Sequence, residues 1–288
     1  MLEGIVLVDK PEGPTSHDVV RKMRRIFNTR KVGHAGTLDP MATGMLVIGI
    51  GRATRLLGYL TMNDKEYLGT IRLGISTFTD DAQGDVLETK STRGLDEAAI
   101  YAALRQFRGH ISQTPTAISA IKVDGKRAYD RVRAGEEVEL KAREVTIEDC
   151  EVVSITDHPE LDVIDVAVRV VCSAGTYIRA IARDLGADLG VGGHLTSLRR
   201  TRSGVFANMK SIEELEADPV VMDLTESIKQ VFPCVKLNDE HTTKALHGVR
   251  VPAPVDAAGT VGVLGVDGIA VSLCEVKNNE LVPLVVFV

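Results

Sequence analysis

The chain has 288 residues, is 44% hydrophobic and 26% charged, and carries a net charge of −6. This is enough for two domains, or for one domain with an appendage, and no apolar run approaches the ~20 residues of a membrane span. Met1–Lys10 lacks the basic start and cleavage site of a signal peptide, so the expected location is the cytoplasm. The four cysteines, at 150, 172, 234 and 274, form no Cys-x-x-Cys pair. Reduced structural thiols are expected rather than a disulfide framework or zinc.

In chain order, Gly4–Val8 predicts a strand and Lys10–Pro14 a turn. Thr15 with Asp18 three residues on reads as a capping box opening a helix to about Phe27. Its apolar stripe is Val19, Val20, Met23, Ile26 and Phe27. Arg21, Lys22, Arg24 and Arg25 take much of the remaining surface. Residues 19–38 hold six basic residues and no acid. Local charge, not the net value, decides where a polyanion docks. Residues 211–288 hold 5 basic and 12 acidic residues, a balance of −7, which leaves +1 for residues 1–210. A solvated helix face and a phosphate-binding face explain the basic run equally well.

Next comes Gly33-His34-Ala35-Gly36-Thr37-Leu38-Asp39-Pro40-Met41-Ala42-Thr43-Gly44, followed by a strand over Met45–Ile50. Asp39 could be a helix N-cap with Pro40 at the first helical position. However, Gly44 arrives within a turn, leaving little helix to cap. The three glycines suit positive φ or a close approach of backbone to ligand. Strands are predicted over Glu66–Ile75, Val145–Ile155 and Leu161–Cys172, and helices over Leu95–Phe107, Thr176–Leu189 and Ile212–Ala217. Residues 109–143 read as a turn-rich excursion with basic residues among several acids. Residues 190–193 read as a loop. From Phe232 onward short Gly/Val-rich strands predict a small β domain.

Several chemical motifs fail. Ser119-x-x-Lys122 lacks the companions of a serine acyl-enzyme set. Gly49-Ile50-Gly51 begins a dinucleotide fingerprint but has Thr54 at its third glycine position. There is no phosphate loop and no His-Glu-x-x-His, and the histidines show no metal-ligand spacing. Neither a cofactor nor a metal is implied.

The 33–44 block resembles the signature of the TruB family of tRNA pseudouridine synthases. The resemblance continues through Lys65-Glu66-Tyr67, Arg72-Leu73-Gly74, Thr79-Asp80-Asp81-Ala82-Gln83-Gly84 and Ser119-Ala120-Ile121-Lys122. It runs on to Gly175-Thr176-Tyr177-Ile178-Arg179 and Leu198-Arg199-Arg200, so the blocks span residues 4 to about 210 in family order. The resemblance implies an α+β (mixed α/β) pseudouridine-synthase fold. It would have a central mixed, largely antiparallel sheet and a small C-terminal PUA-like β domain. The implied division is a catalytic domain over 1–230, with a thumb-like insertion at about 109–143, and the appendage over 231–288.

The same resemblance implies isomerisation of the T-loop uridine at position 55 of tRNA, after base flipping and without a cofactor. An aspartate ionised at neutral pH (ordinary pKa ~3.9) can act as nucleophile, and the family places that role on Asp39. Arg179 would pair with it, fixing and charging the carboxylate. Tyr67 would stack on the base and take part in proton transfer, and Tyr177 would line the pocket. A base stacked on an aromatic is worth ~1–3 kcal/mol. His34 would fill the space left by the flipped base, and Leu198 would form an apolar wall. Asp81 and Lys10 match positions near the site, although Asp81 reads equally as a turn residue and Lys10 as a strand end. The expected partner is the T-stem-loop of tRNA, with no metal and no membrane, and the protein is expected to be a monomer. The alternatives are a non-catalytic RNA-binding or RNA-folding module, or a guide-RNA-dependent relative.

Overall fold

A computed structural model describes residues 2–116, 122–123, 126–127 and 141–287. The chain groups into two compact units, one of Met1–Pro40, Gly44–Thr61 and Gly204–Val288, the other of Met41–Thr43 and Met62–Ser203. The class is mixed α+β, as expected, and most strand pairs are antiparallel.

In the first unit β1 (Gly4–Lys10) and β3 (Thr43–Ile50) pair antiparallel along their length, from Gly4 opposite Ile50 to Lys10 opposite Gly44. β2 (Val32–Ala35) also pairs with β3. Between β1 and β2 lies α1 (Ser16–Ile26), opened by the capping box read from the sequence. The Thr15 hydroxyl accepts from Asp18 N, and Asp18 accepts from Thr15 N at 2.9 Å. Val19, Val20 and Met23 are buried, while Arg21, Arg24 and Arg25 stay on the exposed side. α2 (Leu57–Thr61) closes this stretch.

The second unit runs β4 (Lys65–Leu73), β5 (Ile75–Thr77), β6 (Val86–Thr89), α3 (Glu97–Arg105) and β7 (Gly109–Gln113). A two-residue pair follows, β8 (Lys122–Val123) with β9 (Lys126–Arg127). Then come β10 (Arg143–His158), β11 (Val163–Cys172), α4 (Ile178–Asp188) and β12 (Gly193–Ser203). Its sheet has the antiparallel order β12-β4-β11-β10-β7. Ile71, Leu73, Val166, Val168 and Val170 are buried in it. α4 buries Ile178, Ile181 and Leu185, as its helical spacing requires.

β12 escaped sequence reading. Two register shifts, at Leu195/Ser197 and Arg200/Arg202, break its alternation. Its buried positions include His194 and Arg200 beside Leu195 and Leu198. A bulged strand with polar residues inside has no clean period of two. Of the stretch about 109–143 expected as an insertion, Gly109–Gln113 forms β7, whose Gln113 pairs with Arg143 at the start of β10; most of the rest lies outside the described residues.

The first unit also holds β13 (Lys210–Ser211), α5 (Ile212–Ala217), β14 (Met222–Asp223) and α6 (Leu224–Val231). Beyond them β15 (Cys234–Lys236), α7 (Asp239–Leu246), β16 (Val251–Pro252), β17 (Thr260–Leu264), β18 (Ala270–Lys277) and β19 (Glu280–Val286) include the five strands of a sheet ordered β15-β17-β18-β19-β16. This is the small β-rich part expected at the C-terminus. These strands belong to the same compact unit as β1 and β2. Leu264, Leu273 and Phe287 share one apolar cluster with Ile5, Met45 and Val47. Arg52 Nη1 donates to Phe287 O at 2.7 Å, and Arg55 donates to Val286 O. Phe287 is only 2% exposed, so Phe287→Ala is expected to cost about 3–5 kcal/mol. Urea unfolding would measure this loss.

Candidate active site

The Asp39 loop is tied down on both sides of the aspartate. Before it, the buried Ser16 hydroxyl accepts from Leu38 N at 2.9 Å and bonds Leu38 O at 3.0 Å. After it, Pro40 O accepts from Gly13 N at 2.8 Å and from Lys10 Nζ at 3.1 Å. Gly36 and Gly44 bracket the loop with φ +86° and +93°, angles that side-chain-bearing residues rarely adopt. No helix follows Asp39, only a turn at Pro40–Met41 leading into β3. The N-cap reading therefore falls, because the Pro40 carbonyl is already spent on Gly13 and Lys10. Asp39 itself is half-buried.

Lys10 is fully buried at the end of β1, and its ammonium also donates to Pro11 O and Pro14 O, both at 2.8 Å. Burial lowers its pKa to about 8, against the pull of the nearby Asp39 carboxylate. The structure thus brings Lys10 and Asp39 into one loop system. His34 lies on β2, its ring edge-on to that of His17 at 5.5 Å between centroids.

The other expected site residues belong to the second unit. Arg179 is the second residue of α4 and only 5% exposed. It is not the surface arginine that a helix N-terminus would ordinarily carry. Its Nη1 donates to Thr79 O at 2.9 Å and meets Asp81 Oδ2 at 3.3 Å. Asp81 is 4% exposed. Its Oδ1 accepts from Thr79 Oγ1 at 2.5 Å and from Gln83 N at 3.0 Å. Asp81 is thus both a turn residue and a buried counter-charge. Backbone bonds from Leu195 N to Asp80 O and from Ala82 N to Leu195 O tie this turn to β12. Sequence reading missed Asp81 as the partner of Arg179, since nothing in the spacing of 81 and 179 announces it.

Tyr67 and Leu198 share a sheet face. Tyr67 on β4 sits opposite Arg200 on β12, and Leu198 sits opposite Gly69, two residues along each strand. Such diagonal neighbours are within reach of an aromatic ring. Both are 8% exposed. Tyr177, half-buried, immediately precedes α4. Its backbone is held by Gln113, which no motif singled out.

Asp80, beside Asp81, has φ +58° and faces Arg183 Nη1 at 3.3 Å. Burial pushes its pKa up to about 6; Arg183 and Arg179 pull it down, and Asp184 adds to the rise. Between the ordinary 3.8 and about 6, the folded chain therefore holds more protons than the unfolded one. Stability from this group falls as pH rises through that window, and the loss is complete above it. Asn tolerates the same backbone region. Asp80→Asn should thus gain about 1–3 kcal/mol near pH 8 and nothing below the window, as read by urea titrations at both pH values.

Among the described residues no group of three or more His, Cys, Asp or Glu stands ready to hold a metal ion, and no helix is long and apolar enough to cross a membrane.

Comparison with known proteins decides the family. Residues 24–178 match the family model described as "TruB family pseudouridylate synthase (N terminal domain)", and residues 179–233 match "tRNA pseudouridylate synthase B C-terminal domain". A protein of Thermobifida fusca (strain YX) named tRNA pseudouridine synthase B is 52% identical over 291 residues, covering 100% of this chain and 99% of its own. A protein of the same name from Mycobacteroides abscessus is 51% identical over 286 residues, covering 98% and 95%. The chain belongs to the TruB family. The expected pseudouridine-synthase fold has a counterpart among solved structures. A chain of a Cbf5-Nop10-Gar1 complex superposes with a TM-score of 0.74 at 27% identity, covering 99% of this chain and 85% of that one. A structure of an H/ACA RNP bound to a substrate RNA containing 2′-deoxyuridine gives 0.72 at 26% identity, with the same coverage. As a TruB-family pseudouridylate synthase the chain is an isomerase, and the Asp39 loop and the Arg179–Asp81 pair lie inside the two matched stretches.

Proposed function

We propose that this TruB-family enzyme converts the T-loop uridine at position 55 of tRNA to pseudouridine, with Asp39 as the nucleophile. The observation that carries the reading is the Asp39 loop, anchored through backbone on both sides, in a chain half-identical to proteins named tRNA pseudouridine synthase B. The reaction breaks N1–C1′, turns the uracil and rejoins it through C5, with the C5 proton released and N1 protonated. It conserves composition and oxidation state and so balances without a co-reactant. The carboxylate can attack C1′, attack C6, or stabilise a glycal-like species while a proton is removed.

Tyr67 supplies the stacking platform, and Leu198 and Tyr177 line the base pocket. His34 takes the place of the flipped base. Arg179 serves as counter-charge to the nucleophile, while Lys10 and Asp81 hold the surrounding backbone and guanidinium. A uridine in a folded loop must leave its stack before any of these groups can reach it. The enzyme acts as a monomer in the cytoplasm, and residues 231–288 form a PUA-like appendage.

The decisive experiment is a carbodiimide map of pseudouridine in unmodified tRNA after incubation with the purified chain. A single new stop at position 55 is the expected result. Turnover on this bare transcript also discriminates against the guide-dependent reading. No modification without an added guide would favour that reading, and binding without isomerisation would favour an RNA-folding module.

Arg24, Arg25 and Arg30 are exposed, and in this reading they meet tRNA phosphates. Replacing all three by alanine should weaken binding at low salt and flatten the slope of log K against log [salt] by about 2–3, since each phosphate contact contributes about 0.9. A filter-binding salt titration measures this.

A further inference from the structure

Gln113 is the last residue of β7, pairs with Arg143 of β10, and is 3% exposed. Its side-chain Oε1 accepts from Tyr177 N at 2.8 Å, and its Nε2 donates to Tyr177 O at 3.1 Å. One carboxamide thus occupies both backbone groups of the residue from which α4 starts. That start has no side-chain cap of its own. One residue beyond Gln113, Thr114 O accepts from Arg183 Nη2 at 2.9 Å. The end of β7 therefore grips α4 at its start and again in its second turn. Arg179, held by Thr79 and Asp81, lies between the two grips.

A buried amide that meets a donor and an acceptor of one residue together specifies one pose, because both bonds form only when carboxamide and backbone are aligned. We propose that Gln113 is a positioning residue for the isomerisation: by clasping the Tyr177 backbone it sets the direction in which α4 presents Tyr177 and Arg179. This rests on the function proposed above. It assigns Gln113 no contact with RNA and no part in proton transfer. Its action runs entirely through the placement of its neighbours, and misplacement of a catalytic constellation by an ångström can cost on the order of 10²-fold in rate.

The test compares Gln113→Leu and Gln113→Glu with the wild type. Single-turnover pseudouridine formation and RNA affinity are measured on a T-stem-loop, together with hydrogen exchange over residues 177–182. Gln113→Leu removes both bonds. It should lower the single-turnover rate by about 10- to 100-fold with affinity little changed, and speed exchange at the start of α4. Gln113→Glu keeps the acceptor for Tyr177 N. It can donate to Tyr177 O only when protonated, so its rate should climb relative to wild type as pH falls. A generally loosened protein would not show that pH-dependent recovery. Wild-type rates in Gln113→Leu would overturn the proposal. So would a rate loss matched by lost RNA affinity, or a Gln113→Glu profile parallel to wild type. If the wild type itself forms no pseudouridine, the function proposed above fails. Unchanged exchange over 177–182 in Gln113→Leu would then separately overturn the clasp.

Discussion

Asp39→Asn is expected to lower single-turnover pseudouridine formation on a T-stem-loop by at least about 10⁴-fold, the scale of loss when an enzyme's nucleophile is removed. RNA affinity should survive, because it resides in phosphate contacts. The variant is a clean probe for a structural reason. The loop backbone is held through Leu38 and Pro40, by Ser16, Gly13 and Lys10, and these bonds remain when the carboxylate becomes an amide. The amide has the size of the carboxylate but cannot act as an anionic nucleophile. A folded Asp39→Asn protein that turns over at the wild-type rate would remove Asp39 from the chemistry.

The second large effect concerns Arg179 and Asp81. Both are nearly inaccessible, and the guanidinium spans Thr79 O and Asp81 Oδ2. Arg179→Lys keeps the charge but replaces the rigid planar guanidinium, whose Nη1 meets both acceptors, by a flexible ammonium. It should cut the single-turnover rate by about 10²–10³-fold with little change in affinity, the range seen when one preorganised donor is lost. Arg179→Leu leaves the Asp81 carboxylate buried without its cation and should cost about 3–5 kcal/mol of stability. Adding Asp81→Asn to that variant should recover part of the loss, since the uncompensated charge is then gone. A double-mutant cycle by urea unfolding reads the coupling. Additive losses would mean that the two groups do not depend on each other.

Much of the candidate site was legible in the chain because the signature is local. Thr15 and Asp18 announced the start of α1. The glycines around Asp39 announced a loop of unusual backbone. Each depends on residues within a few positions of one another. Arg179 and Asp81 were named as site residues, but their mutual contact was not, because 98 positions separate them and charge alone does not select a partner. Gln113 had no signal at all: its function lies in two hydrogen bonds to the backbone of residue 177, and backbone groups are the same at every position.

The strands show the same contrast. β11 alternates cleanly, with Val166, Val168 and Val170 buried, and was read within two residues of its bounds. β12 carries two bulges and buries His194 and Arg200, so its pattern is intelligible only once β4 lies beside it. The C-terminal strands were foreseen as a separate domain. Leu273 and Phe287 share an apolar cluster with Ile5 and Val47, a partnership that hydrophobicity favours but does not direct.

By itself, then, the sequence determined the start of α1, the alternation of β11, the aspartate in its glycine-bounded loop and the ordered blocks that resemble the TruB family. These follow from short-range periodicity, capping and motif order. Only the tertiary structure decided which buried charge answers which, that Lys10 closes the Asp39 loop, and how α4 is held at Tyr177. Those are contacts between distant segments, fixed by packing geometry that no local pattern encodes.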